Sequence, residues 1–210
     1  WFNIHPNVFR HGLLLEALTP AQRQAALDVM AASLSPDAYG KAREVMRLNG
    51  YLVGLTGKAE DFGEWPYFFS LFGNPSADEP WGWQIDGHHL VVNYFVLADQ
   101  VVMTPVFMGG EPVVATTGKY AGNAVLQAEQ DQGLAFMRAL APEAQQAATI
   151  RRDKPANDIL AQADRDNLVI LGGSAGAQFW TFTHFSHVTH ADRHAFAAVQ
   201  HDVGFGSLAA

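Results

Sequence analysis

The chain has 210 residues, 49% of them hydrophobic, no cysteine, and a formal net charge of −8 from 13 basic and 21 acidic side chains. That length suits one domain over residues 1–210, burying roughly 70% of the surface that its unfolded form exposes. The acidic balance and the absence of a basic cluster argue against a nucleic-acid partner, and the missing cysteine excludes disulfides, thiolate metal sites and a cysteine nucleophile.

In chain order, Trp1 opens the sequence without a basic and apolar leader, which reads as a processed or truncated product. Leu18-Thr19-Pro20 then supplies an N-cap and a first-turn proline, with Ala26, Met30 and Leu34 on one face, and so predicts an amphipathic helix. Ser35-Pro36-Asp37 repeats the start signal, and a second helix is expected from Pro36 to about Leu55 with Gly57 as its stop. Between Gly63 and Pro80 the composition suggests irregular structure anchored by Tyr67, Phe68 and Phe69. From Trp81 to Phe107 the residues read as a three-stranded antiparallel meander with turns at Asp86-Gly87 and at Ala98-Asp99-Gln100. Its longest apolar run, Leu90 to Ala98, is broken by Asn93 and falls far short of the about 20 residues of a membrane span, so no membrane insertion is expected. Residues 119–140 carry Val125, Ala128, Leu134 and Met137 near helical spacing, Leu140-Ala141-Pro142 restarts a helix, and Asn167 to Leu171 is a candidate strand. The fold class expected is α+β: the meander is packed on its Trp81, Leu90 and Tyr94 side by the helices near 20–55 and 120–140.

The stretch WGWQIDGHHL, residues 81–90, raises the question of a site. An Asp-Gly pair between extended runs signals a two-residue hairpin turn. With the turn at Asp86-Gly87, Ile85 faces His88, Gln84 faces His89 and Trp83 faces Leu90. One side of the sheet then holds Trp81, Trp83, Ile85, His88, Leu90, Val92 and Tyr94. The other holds Gly82, Gln84, His89, Val91 and Asn93, a polar group with a glycine gap that makes Gln84, His89 and Asn93 the wall of a candidate site. Adjacent residues on a regular strand point to opposite faces, so His88 and His89 cannot share one ion without a bulge, and His89 is favoured. The plainer alternative makes His88 a core-edge residue and His89 a solvated one. Trp81 and Trp83 fit the core, with an aromatic platform for a ligand ring as the alternative.

These motifs resemble a known family. WGWQIDGHHL, followed by VVMTPVFMGGEP at residues 101–112 and preceded by YFFSLFGNPS at 67–76 and RHGLLLEALTPAQR at 10–23, is similar to the domain-of-unknown-function family 3500 of bacteria and fungi, over Trp1 to about Thr149. Members carry more chain ahead of the position of Trp1, and many look exported. The resemblance therefore implies a missing N-terminal portion and a periplasmic or extracellular location, but no reaction. Beyond that region, His187-Val188-Thr189-His190, Arg193 and His201-Asp202-Val203-Gly204 match the family's ending only loosely.

Five of the nine histidines fall in the last 27 residues. Thr189 and Asp192 suggest a capped helix from His190 to about His201, placing His190 and His194 at i, i+4 on one face. With His89, His187 or Glu111 as further ligands, these imidazoles could hold a divalent zinc, copper or iron ion with a position open for water. A solvated His-rich helix face is the alternative. The sequence reading is thus a His-coordinated metal-dependent enzyme, hydrolase or oxidoreductase, acting on a small molecule, with substrate contacts from Gln84, Asn93, Trp81 and Trp83. Gly172-Gly173-Ser174-Ala175-Gly176 after the candidate strand resembles a nucleophile elbow, with Asp192 and His194 or His201 as acid and base. It offers a serine hydrolase as the alternative, disfavoured because an elbow sits on a parallel sheet and the upstream sequence builds none. A non-catalytic ligand-binding module is the third reading.

Overall fold

A computed structural model describes residues 10–149 and the backbone pairing of the strand Gln178–Thr181. The fold is α+β. Helix α1 is Pro20–Ser33, and Thr19 forms a capping box with Gln22, the Thr19 N–H donating to Gln22 Oε1 at 3.0 Å. Helix α2 is Pro36–Thr56, capped by the Ser35 hydroxyl and stopped by Gly57 in the left-handed region at φ 73°. Ala26, Met30 and Leu34 are buried together with Ala38, Ala42, Val45 and Met46, so the two helices share one apolar seam with the sheet.

The sheet is antiparallel at every pairing: β1 (Leu13–Leu14), β2 (Tyr67–Phe72), β3 (Trp81–Gly87), β4 (Leu90–Leu97), β6 (Val106–Gly109) and β7 (Gln178–Thr181) lie in that order. Strand β5 (Gln100–Val102) pairs the far end of β4. The expected meander is therefore four strands rather than three, because β5 and β6 divide one edge of β4 between them. Asn93 marks the division, its backbone and side-chain amides both donating to Pro105 O, at 3.3 and 2.8 Å. Strand β2 was not expected. Its Gly, Pro and Asn neighbours read as loop, yet Phe69 pairs with Ile85 and packs in the core.

The turn of the β3–β4 hairpin corrects the sequence reading. Gly87 pairs with Leu90, so the loop residues are His88 and His89, and Ile85 faces Val92 rather than His88. Asp86-Gly87 continues the strand because Gly87 serves a different purpose: a Cβ there would lie 2.2 Å from the Tyr67 ring, so glycine seats that ring. The left-handed position of the turn falls on His89, at φ 59°. The displacement is even, so every strand residue keeps its face. Trp83 is buried on the core side, stacked between Phe69 and Tyr94 at 5.8 and 5.3 Å, with its indole N–H donating to Ser33 Oγ at 3.0 Å.

The helix expected over 119–140 is shorter. Gly118–Tyr120 is a 3-10 turn, Val114 bridges Ala124, and Ala115 and Asn123 are hydrogen-bonded, which makes a small hairpin. Helix α3 is Gln127–Ala139, entered through Leu126 at φ 57°. Leu134 and Phe136 are exposed, and the buried member of α3 is Glu129, paired with Lys41 of α2. The core side of the sheet is thus covered by α1 and α2, and Val125 reaches the core from the small hairpin rather than from a helix face. Helix α4 is Pro142–Ala148, where the restart signal placed it.

Candidate functional site at the hairpin tip

The turn that was misplaced in the sequence reading is also where the polar groups converge. Because His89 takes a left-handed backbone, the strand alternation that would send the two rings to opposite faces is broken. The His88 and His89 ring centroids lie 4.1 Å apart, tilted by 56°. Both rings line a small cavity of about 10 Å³, room for one water or ion, with Val45, Leu48, Asn49, Leu52, Gly109, Gly110 and Glu111. Thus His89 and Glu111, each expected as a further ligand for the C-terminal histidines, share one corner, and His88 joins them.

The corner is anchored from three sides. The Tyr67 hydroxyl donates to His88 O at 2.9 Å, and Gly109 N–H donates to His89 O at 2.8 Å. Burial pushes the Tyr67 phenol far above its ordinary value, so it stays a donor at any physiological pH. Gly109 also leaves room for a ring, since a Cβ there would lie 3.1 Å from His89 Nδ1. Phe62 lies 5.3 Å from the His88 ring and Phe107 6.1 Å from the His89 ring.

The decisive contact is with Asn49 of α2. Its Nδ2 donates to Gly63 O at 2.7 Å, which leaves Oδ1, an acceptor, facing His88 Nδ1 at 2.9 Å. A carboxamide oxygen accepts only, so the neutral imidazole carries its proton on Nδ1 and its lone pair on Nε2. Asn49 is 3% exposed, and the low-dielectric surroundings strengthen that preference. Fixing one ring nitrogen by a hydrogen bond so that the other presents a lone pair is how proteins orient a ligating or basic histidine.

On the other face of the hairpin, Asp86 is paired with Arg10, both nearly buried, and accepts from Gln84 Nε2 at 3.3 Å. Burial lowers the Arg10 guanidinium from its usual range, and Asp86 pulls it back. Gln84 faces Asn93 directly rather than His89, and both amides donate within the protein, Gln84 to Asp86 and Asn93 to Pro105. They lie roughly 10 Å or more along the strands from the turn, so the expected wall of Gln84, Asn93 and His89 is two separate places. Trp83 is enclosed by the core, and Trp81 is half-buried with its indole N–H on Ser76 O at 3.1 Å, which removes Trp83 from the ligand-facing set.

Sequence reasoning missed Asn49 and Asp86. A polar residue on the buried stripe of α2, four after Val45, was the available signal for Asn49; Asp86 was hidden by its role in an apparent turn. His187, His190, His194, His201, Ser174 and Asp192 lie outside the described residues. Among the described residues, no three His, Asp or Glu side chains are grouped to hold a metal ion, and no helix is long and apolar enough to cross a membrane.

The fold and the tip define an α+β protein whose antiparallel sheet carries two half-buried imidazoles at a hairpin tip, the His88 ring oriented by its hydrogen bond to Asn49. The model of a family described as protein of unknown function (DUF3500) matches residues 1–189, and the chain belongs to that family. The match runs well beyond the Trp1 to Thr149 region whose motifs carry the resemblance. No curated protein and no solved structure matches the chain.

Proposed function

We propose that the protein is a metal-dependent enzyme, hydrolase or oxidoreductase, acting on a small molecule at the His88–His89 corner. The carrying observation is the Asn49–His88 hydrogen bond, which leaves Nε2 of an oriented imidazole as the basic atom. His89 and Glu111 add a second imidazole and a carboxylate at the same cavity. In the absence of cysteine, such nitrogen and oxygen donors suit zinc, copper or iron. His88, His89 and Glu111 line one cavity, but among the described residues they are not grouped closely enough to hold an ion by themselves; His187, His190 and His194 are the proposed complement. His88 leads the set in place of His89, because the Asn49 hydrogen bond directs its Nε2 outward from the helix-facing side. The antiparallel pairing of the described strands supports ranking the Ser174 elbow below this reading, since elbows sit on parallel sheets.

Elemental analysis of protein purified without chelator or affinity-tag metal tests the proposal. About one metal per chain is expected, lost in His88→Ala and reduced about 10–100-fold in affinity by Asn49→Leu, the range for removing an outer-shell partner. Metal-free protein from metal-replete medium, or full occupancy in His88→Ala, contradicts it.

A further inference from the structure

A second cavity, of about 470 Å³ and open to solvent, lies where the 3-10 turn Gly118–Tyr120 meets α2 and is lined by Arg47, Glu64, Lys119, Tyr120, Ala121 and Asn123. Its shape is fixed by packing. Tyr120 sits over Gly50, where a Cβ would meet the phenol oxygen at 2.5 Å, and donates to Glu64 Oε2 at 3.0 Å. Asn123 Nδ2 donates to Glu44 O at 3.0 Å, which ties the other side of the small hairpin to the same helix.

The charges are unequal. Glu64 Oε1 is taken by Arg43 at 3.0 Å, and Arg43 is itself held over the Trp65 ring at 4.6 Å. The Glu64 carboxylate is therefore neutralised from within the protein and serves as a strut. Arg47, one turn after Arg43, and Lys119, 3.5 Å from Glu64 Oε2, remain at the solvent side, and both are exposed. The cavity lining holds two cations, Arg47 and Lys119, and one anion, Glu64, while Glu44 beside it interacts with Arg47. A cationic surplus within a chain of net charge −8 is a local exception. Such a recess concentrates anions from solution, and the Arg47 guanidinium offers the planar fork that matches a carboxylate or phosphate.

We propose that this cavity binds a small organic oxyanion, carboxylate or phosphate, between Arg47 and Lys119. The site is separate from the His88–His89 corner. Glu64 follows Gly63, whose carbonyl holds Asn49, so the two sites share that loop and helix α2 but no lining residue.

The test is an amide-detected NMR titration of the whole chain at low ionic strength, with inorganic phosphate and citrate as probes and sodium chloride at matched ionic strength as control. Saturable shifts centred on residues 118–123 and Arg47 are expected with at least one probe. Phosphate saturating alone points to a phosphate ester and citrate alone to a carboxylate. Arg47→Gln and Lys119→Gln together should weaken binding at least tenfold. Arg138→Gln, the loss of one charge on α3 and so the match for either single variant, should leave it unchanged. His88→Ala should also leave it unchanged, so failure of the metal proposal and failure of this one are distinguishable. Non-saturating shifts spread over all cations, or equal weakening by Arg138→Gln, would show an adventitious ion only and overturn the proposal.

Discussion

In the middle of the β3–β4 hairpin, Trp83 lies between the rings of Phe69 and Tyr94 and is 1% exposed, whereas five residues along, at the tip, directed hydrogen bonds fix the turn beside the Phe62 and Phe107 rings. Packing of that first kind is tolerant of direction and sensitive to volume. The tip is the reverse. Asn49, Tyr67 and Gly109 each fix one atom of the turn, and removing any of them alters where an imidazole points more than how much surface is buried. The difference teaches that stability and orientation are separable in this hairpin, and mutations should divide accordingly.

The largest effect is expected in the middle. Trp83→Ala should cost about 3–5 kcal/mol in a denaturant titration, the range for deleting a large buried aromatic side chain. A loss of less than about 1 kcal/mol would show that the ring layer does not hold the hairpin. Next comes the face behind the tip. Asp86→Ala leaves Arg10 buried without its carboxylate and should cost about 3 kcal/mol, while Asp86→Ala with Arg10→Met should recover much of that loss. Equal losses in the single and double variants would mean that the pair is not coupled.

A smaller effect belongs to the flank of α2. Burial pushes the Glu44 carboxyl above its ordinary value despite the nearby Arg47. A carboxyl raised in the folded state holds its proton more tightly there than in the unfolded chain, so stability falls as pH rises from the unfolded to the folded value. Glu44→Gln should therefore melt slightly higher than wild type near about pH 7 and lose that advantage near about pH 4. The opposite sign, a variant less stable at neutral pH, would show Glu44 favourably paired instead.

The same contrast explains what could be read in advance. Helix α1, helix α2 and the Gly57 stop follow from caps within a few residues of sequence, and the alternation of Trp81, Trp83 and Ile85 against Leu90, Val92 and Tyr94 survived an error in the turn because the slip was even. The turn itself was illegible. Gly87 looked like a turn glycine and is a seat for Tyr67, a residue 20 positions earlier, so the decisive contact was tertiary. Strand β2 was hidden by its loop-like flanks and is a strand because β1 and β3 pair it on both sides. Residues 119–140 read as one helical stretch, but Tyr120 is drawn onto Gly50 and the chain closes a hairpin before α3 begins. Of the site, His89 was named from the expected hairpin register and Glu111 as a further ligand for the C-terminal histidines, while Asn49 required knowing which imidazole nitrogen it would meet.

That nitrogen is the most direct point of test. Long-range proton–nitrogen NMR of the His88 imidazole, at a pH where the ring is neutral, reports which nitrogen carries the hydrogen. The proton should sit on Nδ1, with or without a metal on Nε2, and Asn49→Leu should release the ring to a mixture of tautomers. A His88 ring protonated on Nε2 in the wild-type protein, or a tautomer indifferent to Asn49→Leu, would contradict the account of the tip.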